Sequence, residues 1–181
     1  MIDCKSFQYA AAPRTGSAWV FDALSRGGLA TGTRVNLHQP PPDDYRGLLL
    51  TVVRNPADWL ASYYYEINGG YVGVPEVDVF AEYAKQATCD ADFGLSVANN
   101  LPGKVAAMFD HYRASTVLRL EDMPWSLAGF LRMFKPREDL SWLRDLPPIN
   151  FRKQRTFFSD IVRNRIMAAE EEFCERYEYY A

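Results

Sequence analysis

Short apolar runs alternate along this chain with longer stretches in which apolar residues recur at helical spacing. The runs at 7–12 and 47–53 predict buried strands, 115–120 predicts a further strand, and residues 34–37 are a weaker candidate. Helical spacing predicts helices at 17–26, 55–67, 77–87, 101–112 and 124–134, and a last helix from about Ser159. Strands that alternate with helices predict an α/β fold with a mostly parallel sheet, in a single domain of 181 residues.

One helix end and one helix start carry specific signals. The first predicted helix stops at Gly27-Gly28, and the second has Asn55 as a suitable N-cap and Pro56 at its first helical position. Residues 68–76 predict a loop or lid. The last helix is expected to be continuous, with an apolar face made of Val162, Ile166, Ala169, Phe173 and Tyr177.

Composition limits the partners. No window has 18 consecutive apolar residues, and the first residues do not form a signal peptide, so the sequence predicts a soluble, cytoplasmic protein that does not enter membranes. The three cysteines are widely spaced, which predicts reduced thiols rather than disulfides or a zinc site. A net charge of −3 gives no reason to expect nucleic-acid binding.

Basic residues are nevertheless concentrated between 152 and 165, and acidic residues follow at 170–178. A local basic cluster in an acidic protein favours a small anionic ligand. A solvated helix face with compensating acids is the alternative. The cluster contains Arg152, Lys153, Arg155, Arg163 and Arg165.

The segment "PRTGSAWV" at 13–20 follows the first predicted strand and leads into the first helix. Gly16 lets a backbone approach an anion, and the amides of a helix start supply donors and a favourable dipole. Arg14 and the hydroxyls of Thr15 and Ser17 can complete such a phosphate cradle. An ordinary strand-to-helix turn is the alternative interpretation.

The same segment lacks the Gly-Lys-Ser/Thr ending of an ATP- or GTP-hydrolysing P-loop. The strongest strand, at 47–53, is followed by Arg54 rather than by an acid that helps to hold magnesium. An arginine at that place favours a second phosphate without a metal. These two features argue against a kinase or nucleotide hydrolase, which remains an alternative.

Two motifs together resemble the sulfotransferase family, whose donor is 3′-phosphoadenosine 5′-phosphosulfate (PAPS). "APRTGSAWV" is similar to the family's 5′-phosphosulfate loop, and "VVRNPADWLASYY" is similar to its 3′-phosphate motif, with Arg54 and Ser62 at the family's spacing. "TVLRLEDM", "FRKQR" and the final "ERYEYYA" resemble later family segments, although Gln154 replaces a glycine. The resemblance implies a three-layer sandwich of the P-loop-like sulfotransferase fold.

The resemblance also implies roles for individual residues. Residues 14–18 (Arg14, Thr15, Gly16, Ser17 and Ala18) would hold the 5′-phosphosulfate, although Ala18 stands where many members have threonine. Trp19 would stack on the adenine or else belong to the core. The 3′-phosphate would be held by Arg54, Ser62, Arg152 and Lys153.

Sulfuryl transfer to an acceptor hydroxyl or amine needs cations near the transferred group and a base. The resemblance makes Arg14 the cation and no metal is expected. "NLHQP" resembles the segment that carries the family's histidine base, so His38 is the candidate, although Asn36 replaces the family's lysine. An exposed loop histidine is the alternative, and Asp43, Asp44 and Glu66 are lesser candidates.

The acceptor itself is not indicated: a small molecule, glycan or peptide is open, as is the oligomeric state. The pocket for it is expected in loops at 39–46, 66–76 and 88–100. His111 is expected to be structural or exposed. A non-catalytic nucleotide-binding domain of the same fold is the remaining alternative function.

Overall fold

The computed structural model describes residues 1–32, 38–68, 78–147 and 158–179. The chain divides into two compact units. We call Met1–Val53 with Tyr112–Arg152 the sheet unit, and Arg54–His111 with Lys153–Ala181 the helical unit. The strand predicted at 34–37, nearly all of the loop predicted at 68–76, and the predicted ligands Arg152 and Lys153 lie outside the described residues.

The described strands of the sheet unit form a four-stranded sheet in the order β1-β2-β3-β4. The strands are β1 (Ile2–Asp3), β2 (Gln8–Tyr9), β3 (Leu49–Val53) and β4 (Thr116–Arg119). β2, β3 and β4 are parallel, and β1 pairs antiparallel with β2. The α/β prediction is therefore confirmed, with a mostly parallel sheet. The two-residue β1 was not predicted, because a run of that length has no periodicity to detect.

Two helices of the sheet unit have the predicted positions: α1 spans Ser17–Arg26 and α6, numbered in chain order, spans Trp125–Arg132. The three residues predicted for the buried face of α1, Val20, Ala23 and Leu24, are fully buried. They join a core to which Phe7 and Phe130 contribute an edge-to-face ring pair with centroids 4.9 Å apart. Each fully buried large apolar side chain contributes about 1.5–3 kcal/mol to folding.

The remaining helices belong to the helical unit. Their bounds are α2 (Pro56–Asn68), α3 (Asp78–Gln86), α4 (Asp90–Asn100), α5 (Lys104–Asp110), α7 (Asp160–Ala169) and α8 (Glu171–Arg176). Asn55 caps α2 as predicted, because its Oδ1 accepts from the amides of Ala57 at 3.0 Å and Asp58 at 3.3 Å. Ser159 caps α7 in the same way, through the amide of Val162 at 3.5 Å. Both helix starts are confirmed.

The expectation of an acceptor loop at 88–100 is wrong, because α4 occupies most of that range. Its buried face contains Phe93, Gly94 and Val97, and the helix packs against α7. A Cβ on Gly94 would lie 2.7 Å from Cγ1 of Val162. The glycine, which weakens the sequence signal for a helix, is thus the residue that lets α4 and α7 pack closely.

The continuous final helix is also wrong, because α7 and α8 are separated at Glu170. Val162, Ile166 and Phe173 are buried as expected, whereas Ala169 and Tyr177 are only half-buried. Glu170, which belongs to the acidic stretch that the sequence suggests is solvated, is buried instead. Its side chain contacts another helix, which no local pattern reveals.

None of the described helices is both long enough and apolar enough to cross a membrane.

Candidate functional site

The turn between β2 and α1 has an unusual backbone. Arg14 and Gly16 both have positive φ, 64° and 73°, and Gly16 is the N-cap of α1. A left-handed conformation costs a non-glycine residue about 1–2 kcal/mol. A Cβ on Gly16 would also lie 2.8 Å from Cδ1 of Leu120. The turn therefore needs glycine at position 16, both for its φ and for the space beside Leu120.

Three successive carbonyl groups before this turn accept hydrogen bonds from side chains of the sheet unit. The carbonyl oxygen of Ala10 accepts from Oγ1 of Thr51 at 2.7 Å, that of Ala11 from Nδ1 of His38 at 2.7 Å, and that of Ala12 from Oγ1 of Thr15 at 2.8 Å. Carbonyl oxygens repel an anion, so engaging them with internal donors suits a turn whose amides face a negative group.

Helix α1 begins without the usual side-chain cap. Among the described residues no side chain caps its start, and its first turn holds no acidic residue. Ser17 is half-exposed and Ala18 is buried. The partial positive charge of a helix start is thus left for another negative group.

Two predicted ligands in this segment have other contacts. The Thr15 side chain is fully buried, and its hydroxyl donates to Ala12 as described above. This leaves its backbone, rather than its hydroxyl, to face a ligand. Trp19 is half-buried against the core of the sheet unit, in agreement with the core position predicted as the alternative to adenine stacking.

His38 lies at this end of the sheet unit, where its Nδ1 is 2.7 Å from the carbonyl oxygen of Ala11. A carbonyl only accepts, so Nδ1 carries a proton and donates it. In the neutral ring the lone pair is then on Nε2, which is the form that a general base requires. His38 is half-buried and its ring is hydrogen-bonded to the backbone, so it differs from the exposed loop histidine that was the alternative.

The second predicted motif lies in the helical unit. Arg54 directly follows β3, and Ser62 lies about two turns into α2, a rise of about 9 Å from Pro56. Both side chains are half-buried. The N-terminus of α2 is occupied by Asn55, so any anion held by this motif would depend on the side chains of Arg54 and Ser62.

The described part of the basic cluster is engaged within the chain. Arg163 pairs with Asp58, with Nη1 2.7 Å from Oδ1, and Arg165 donates from Nε to Oδ1 of Asn99 at 3.2 Å. For these two arginines the structure agrees with the solvated-face alternative rather than with ligand binding. Arg152, Lys153 and Arg155 are not among the described residues.

The lesser base candidates differ in their surroundings. Asp43 is exposed and pairs with Arg113 at 3.0 Å, Asp44 is exposed, and Glu66 is half-exposed. His111 is exposed at the end of α5, as expected.

A cavity of about 210 Å³ lies beside the predicted acceptor loop at 39–46. It is at the amino ends of β3 and β4, next to Leu49 and Ser115, whereas the Gly16 turn follows the carboxyl end of β2. Because β2, β3 and β4 are parallel, the cavity and the Gly16 turn lie at opposite ends of these strands. The cavity therefore does not coincide with the predicted donor site.

Sequence reasoning missed three side chains that shape these features: Thr51, Tyr112 and Arg113. Thr51 stands in an apolar run, and the fully buried Tyr112 stands in a segment that was assigned to a helix. A threonine inside a buried strand was the one available signal, because its hydroxyl needs an internal partner.

Comparisons with protein-family models, with curated proteins and with solved structures found no match to this chain. The residues and their geometry are therefore the basis for the function proposed below.

Proposed function

We propose that this chain is a metal-independent sulfotransferase that takes the sulfuryl group from PAPS and has a P-loop-like sulfotransferase fold. The observation that carries the proposal is the start of α1: a left-handed glycine, no side-chain cap among the described residues, no acid in the first turn, and Arg14 in the same turn. A helix start with these properties attracts a phosphate or sulfate group.

The donor's two charged ends correspond to the two motifs. In this proposal the turn amides and Arg14 hold the 5′-phosphosulfate. Arg54 and Ser62, with Arg152 and Lys153, hold the 3′-phosphate, for which a guanidinium supplies a planar pair of donors. The absence of a lysine after Gly16 and of an acid after β3 separates this site from that of a nucleotide hydrolase.

PAPS supplies an activated sulfuryl group. In the transfer, the acceptor oxygen or nitrogen forms a bond to sulfur, the bond from sulfur to the bridging phosphate oxygen breaks, and 3′-phosphoadenosine 5′-phosphate leaves. The proton of the acceptor passes to Nε2 of His38, whose ring is oriented by the bond from Nδ1 to Ala11. Arg14 stabilises the negative charge but stays protonated.

Thermal unfolding with 3′-phosphoadenosine 5′-phosphate and with 5′-AMP tests the proposal. At about 100 times the Kd the first nucleotide should raise Tm by roughly 5–10 °C, and 5′-AMP by much less. Arg54→Ala should largely abolish the difference. Arg46→Ala is the matched control, because this exposed arginine donates to the carbonyl groups of Asp43 and Tyr45 in its own loop and is not among the residues assigned to the donor.

Equal shifts for the two nucleotides would contradict a 3′-phosphate site. Stabilisation by ATP or GTP with magnesium, but not by 3′-phosphoadenosine 5′-phosphate, would favour the kinase or hydrolase alternative. Selective binding without sulfation of any hydroxyl or amine acceptor, and without an effect of His38→Ala beyond stability, would favour a non-catalytic nucleotide-binding domain.

A further inference from the structure

The segment that carries His38 is attached to the sheet unit by two consecutive residues that precede β4. The Tyr112 hydroxyl donates to the carbonyl oxygen of His38 at 3.0 Å. Arg113 donates from Nη2 to the carbonyl oxygen of Pro41 at 2.9 Å and pairs through Nη1 with Asp43 at 3.0 Å. Together these contacts hold the backbone at His38 and Pro41 and the side chain of Asp43.

The two residues differ in environment. Tyr112 is fully buried, and the hydrogen bond from its hydroxyl to the half-buried His38 is partly shielded from water. The Arg113 side chain is 46% exposed, and Arg113 has a positive φ of 46°. A partly shielded hydrogen bond at the histidine itself defines its position more tightly than an exposed ion pair does. Of the two, Tyr112 should therefore have the larger effect on the imidazole.

His38 is held at two points, its backbone carbonyl and its imidazole. Its backbone carbonyl accepts from Tyr112, and its ring donates from Nδ1 to Ala11 at 2.7 Å. An imidazole can make the second bond only while its backbone lies at the right distance from Ala11. The position of the backbone and the tautomer of the ring are thus coupled.

We propose that Tyr112 is a positioning residue that fixes His38 in the tautomer with its proton on Nδ1 and its lone pair on Nε2. Arg113 supports it by holding the following part of the segment. The catalytic consequence rests on the function proposed above, in which Nε2 of His38 takes the acceptor's proton. The coupling between Tyr112 and the tautomer is a property of the protein that can be measured without any substrate.

The test is NMR of the imidazole nitrogens in the wild type and in Tyr112→Phe, at a pH where the rings are neutral. His38→Ala identifies the His38 signals among the two histidines of the chain. The wild type should have its proton on Nδ1. Loss of the hydroxyl should lower the ratio of the Nδ1–H to the Nε2–H form about five-fold, since a neutral hydrogen bond is worth about that factor.

Tyr45→Phe is the matched control. Its hydroxyl also donates to a backbone carbonyl of the sheet unit, that of Leu48 at 3.2 Å, but it does not contact His38 through that bond. It should leave the His38 tautomer unchanged. Arg113→Gln provides a second variant at an exposed side chain, with a smaller shift in the same direction expected.

A wild-type His38 with its proton on Nε2 would overturn the inference, as would a tautomer ratio that is the same in Tyr112→Phe and Tyr45→Phe. If Tyr112→Phe does not fold, an unchanged ratio in Arg113→Gln would overturn it and a lowered ratio would support it. If the tautomer responds but 3′-phosphoadenosine 5′-phosphate does not bind, the coupling is supported and the proposed function fails.

Discussion

Helices α1 and α5 begin alike but differ in what lies at their starts. Each has a glycine N-cap with a φ of 73°, Gly16 for α1 and Gly103 for α5. At α5 the carboxylate of Glu170 accepts from the amides of Val105 at 3.0 Å and Ala106 at 2.9 Å. At α1 no described side chain takes the corresponding place.

The difference shows how this chain deals with the positive end of a helix. In the helical unit it supplies its own anion, a buried glutamate at the break between α7 and α8. In the sheet unit the amides at the equivalent positions are those of Ala18 and Trp19, shortly after Arg14 in the chain. The amide of Trp19 donates to the carbonyl oxygen of Gly16 at 2.9 Å, so the comparison rests on the amide of Ala18. The α5 start is thus an internal example of the contact that the proposed function requires of a ligand at α1.

The largest expected effect comes from removing the internal anion. Glu170→Ala deprives two amides of their charged acceptor and should lower the free energy of unfolding by about 2–3 kcal/mol. Glu171→Ala is the control, because Glu171 is exposed in the first turn of α8. Urea unfolding of both variants measures the effect. Equal stabilities would show that the carboxylate does not support the α5 start.

The helix break at Glu170 also illustrates what the sequence alone does not reveal. Local signals predicted α1, with its glycine stop, and the Asn55 cap of α2, because each is encoded within a few neighbouring residues. The break depends on contacts of Glu170 more than 60 residues away, and α4 depends on the fit of Gly94 against α7. Both are tertiary effects that override local propensity.

The same limit applies to the candidate site. Its location in residues 14–19 follows from a glycine turn after an apolar run. The inward hydroxyl of Thr15 bonds within its own turn, to Ala12, and the sequence does not show this direction. The contact of His38 with Ala11 depends on a side chain that approaches from elsewhere in the sheet unit. Sequence therefore indicated which residues to consider, while the direction of each donor required the structure.

Replacing Gly16 and Gly103 by alanine should have unequal effects on stability. Gly16→Ala and Gly103→Ala both place alanine at a positive φ, which should cost each about 1–2 kcal/mol in free energy of unfolding. Among the described residues other than its chain neighbours, no atom lies within 4 Å of a Cβ at Gly103, whereas a Cβ at Gly16 would lie 2.8 Å from Leu120. Gly16→Ala should therefore be the more destabilised in urea unfolding, by the cost of displacing the end of the Leu120 side chain.

Nucleotide binding should also differ between Gly16→Ala and Gly103→Ala. Under the proposed function, Gly16→Ala should lose the thermal shift with 3′-phosphoadenosine 5′-phosphate, because the turn amides are displaced. Gly103→Ala should keep it. Loss of the shift in both variants would indicate general destabilisation, and its retention in both would contradict an anion site at the start of α1.

The smallest expected effect is the pH dependence of the stability that Glu170 contributes at the start of α5. It shows whether the amides there offset the cost of burying the carboxylate. Burial raises the pKa of Glu170 above its ordinary value of 4.5, and the backbone amides that donate to it oppose this shift. A carboxyl group whose pKa is raised by folding stabilises most below its unfolded pKa, and this contribution is lost as pH rises through the folded value. The stability of the wild type relative to Glu170→Gln should therefore decrease as the pH is raised from 4.5 towards neutrality. Urea unfolding of the two proteins across this range measures the difference. A relative stability that increases with pH would mean that the amides and the helix dipole outweigh burial, and a helix start of this geometry would then be a stronger anion site than burial of Glu170 suggests.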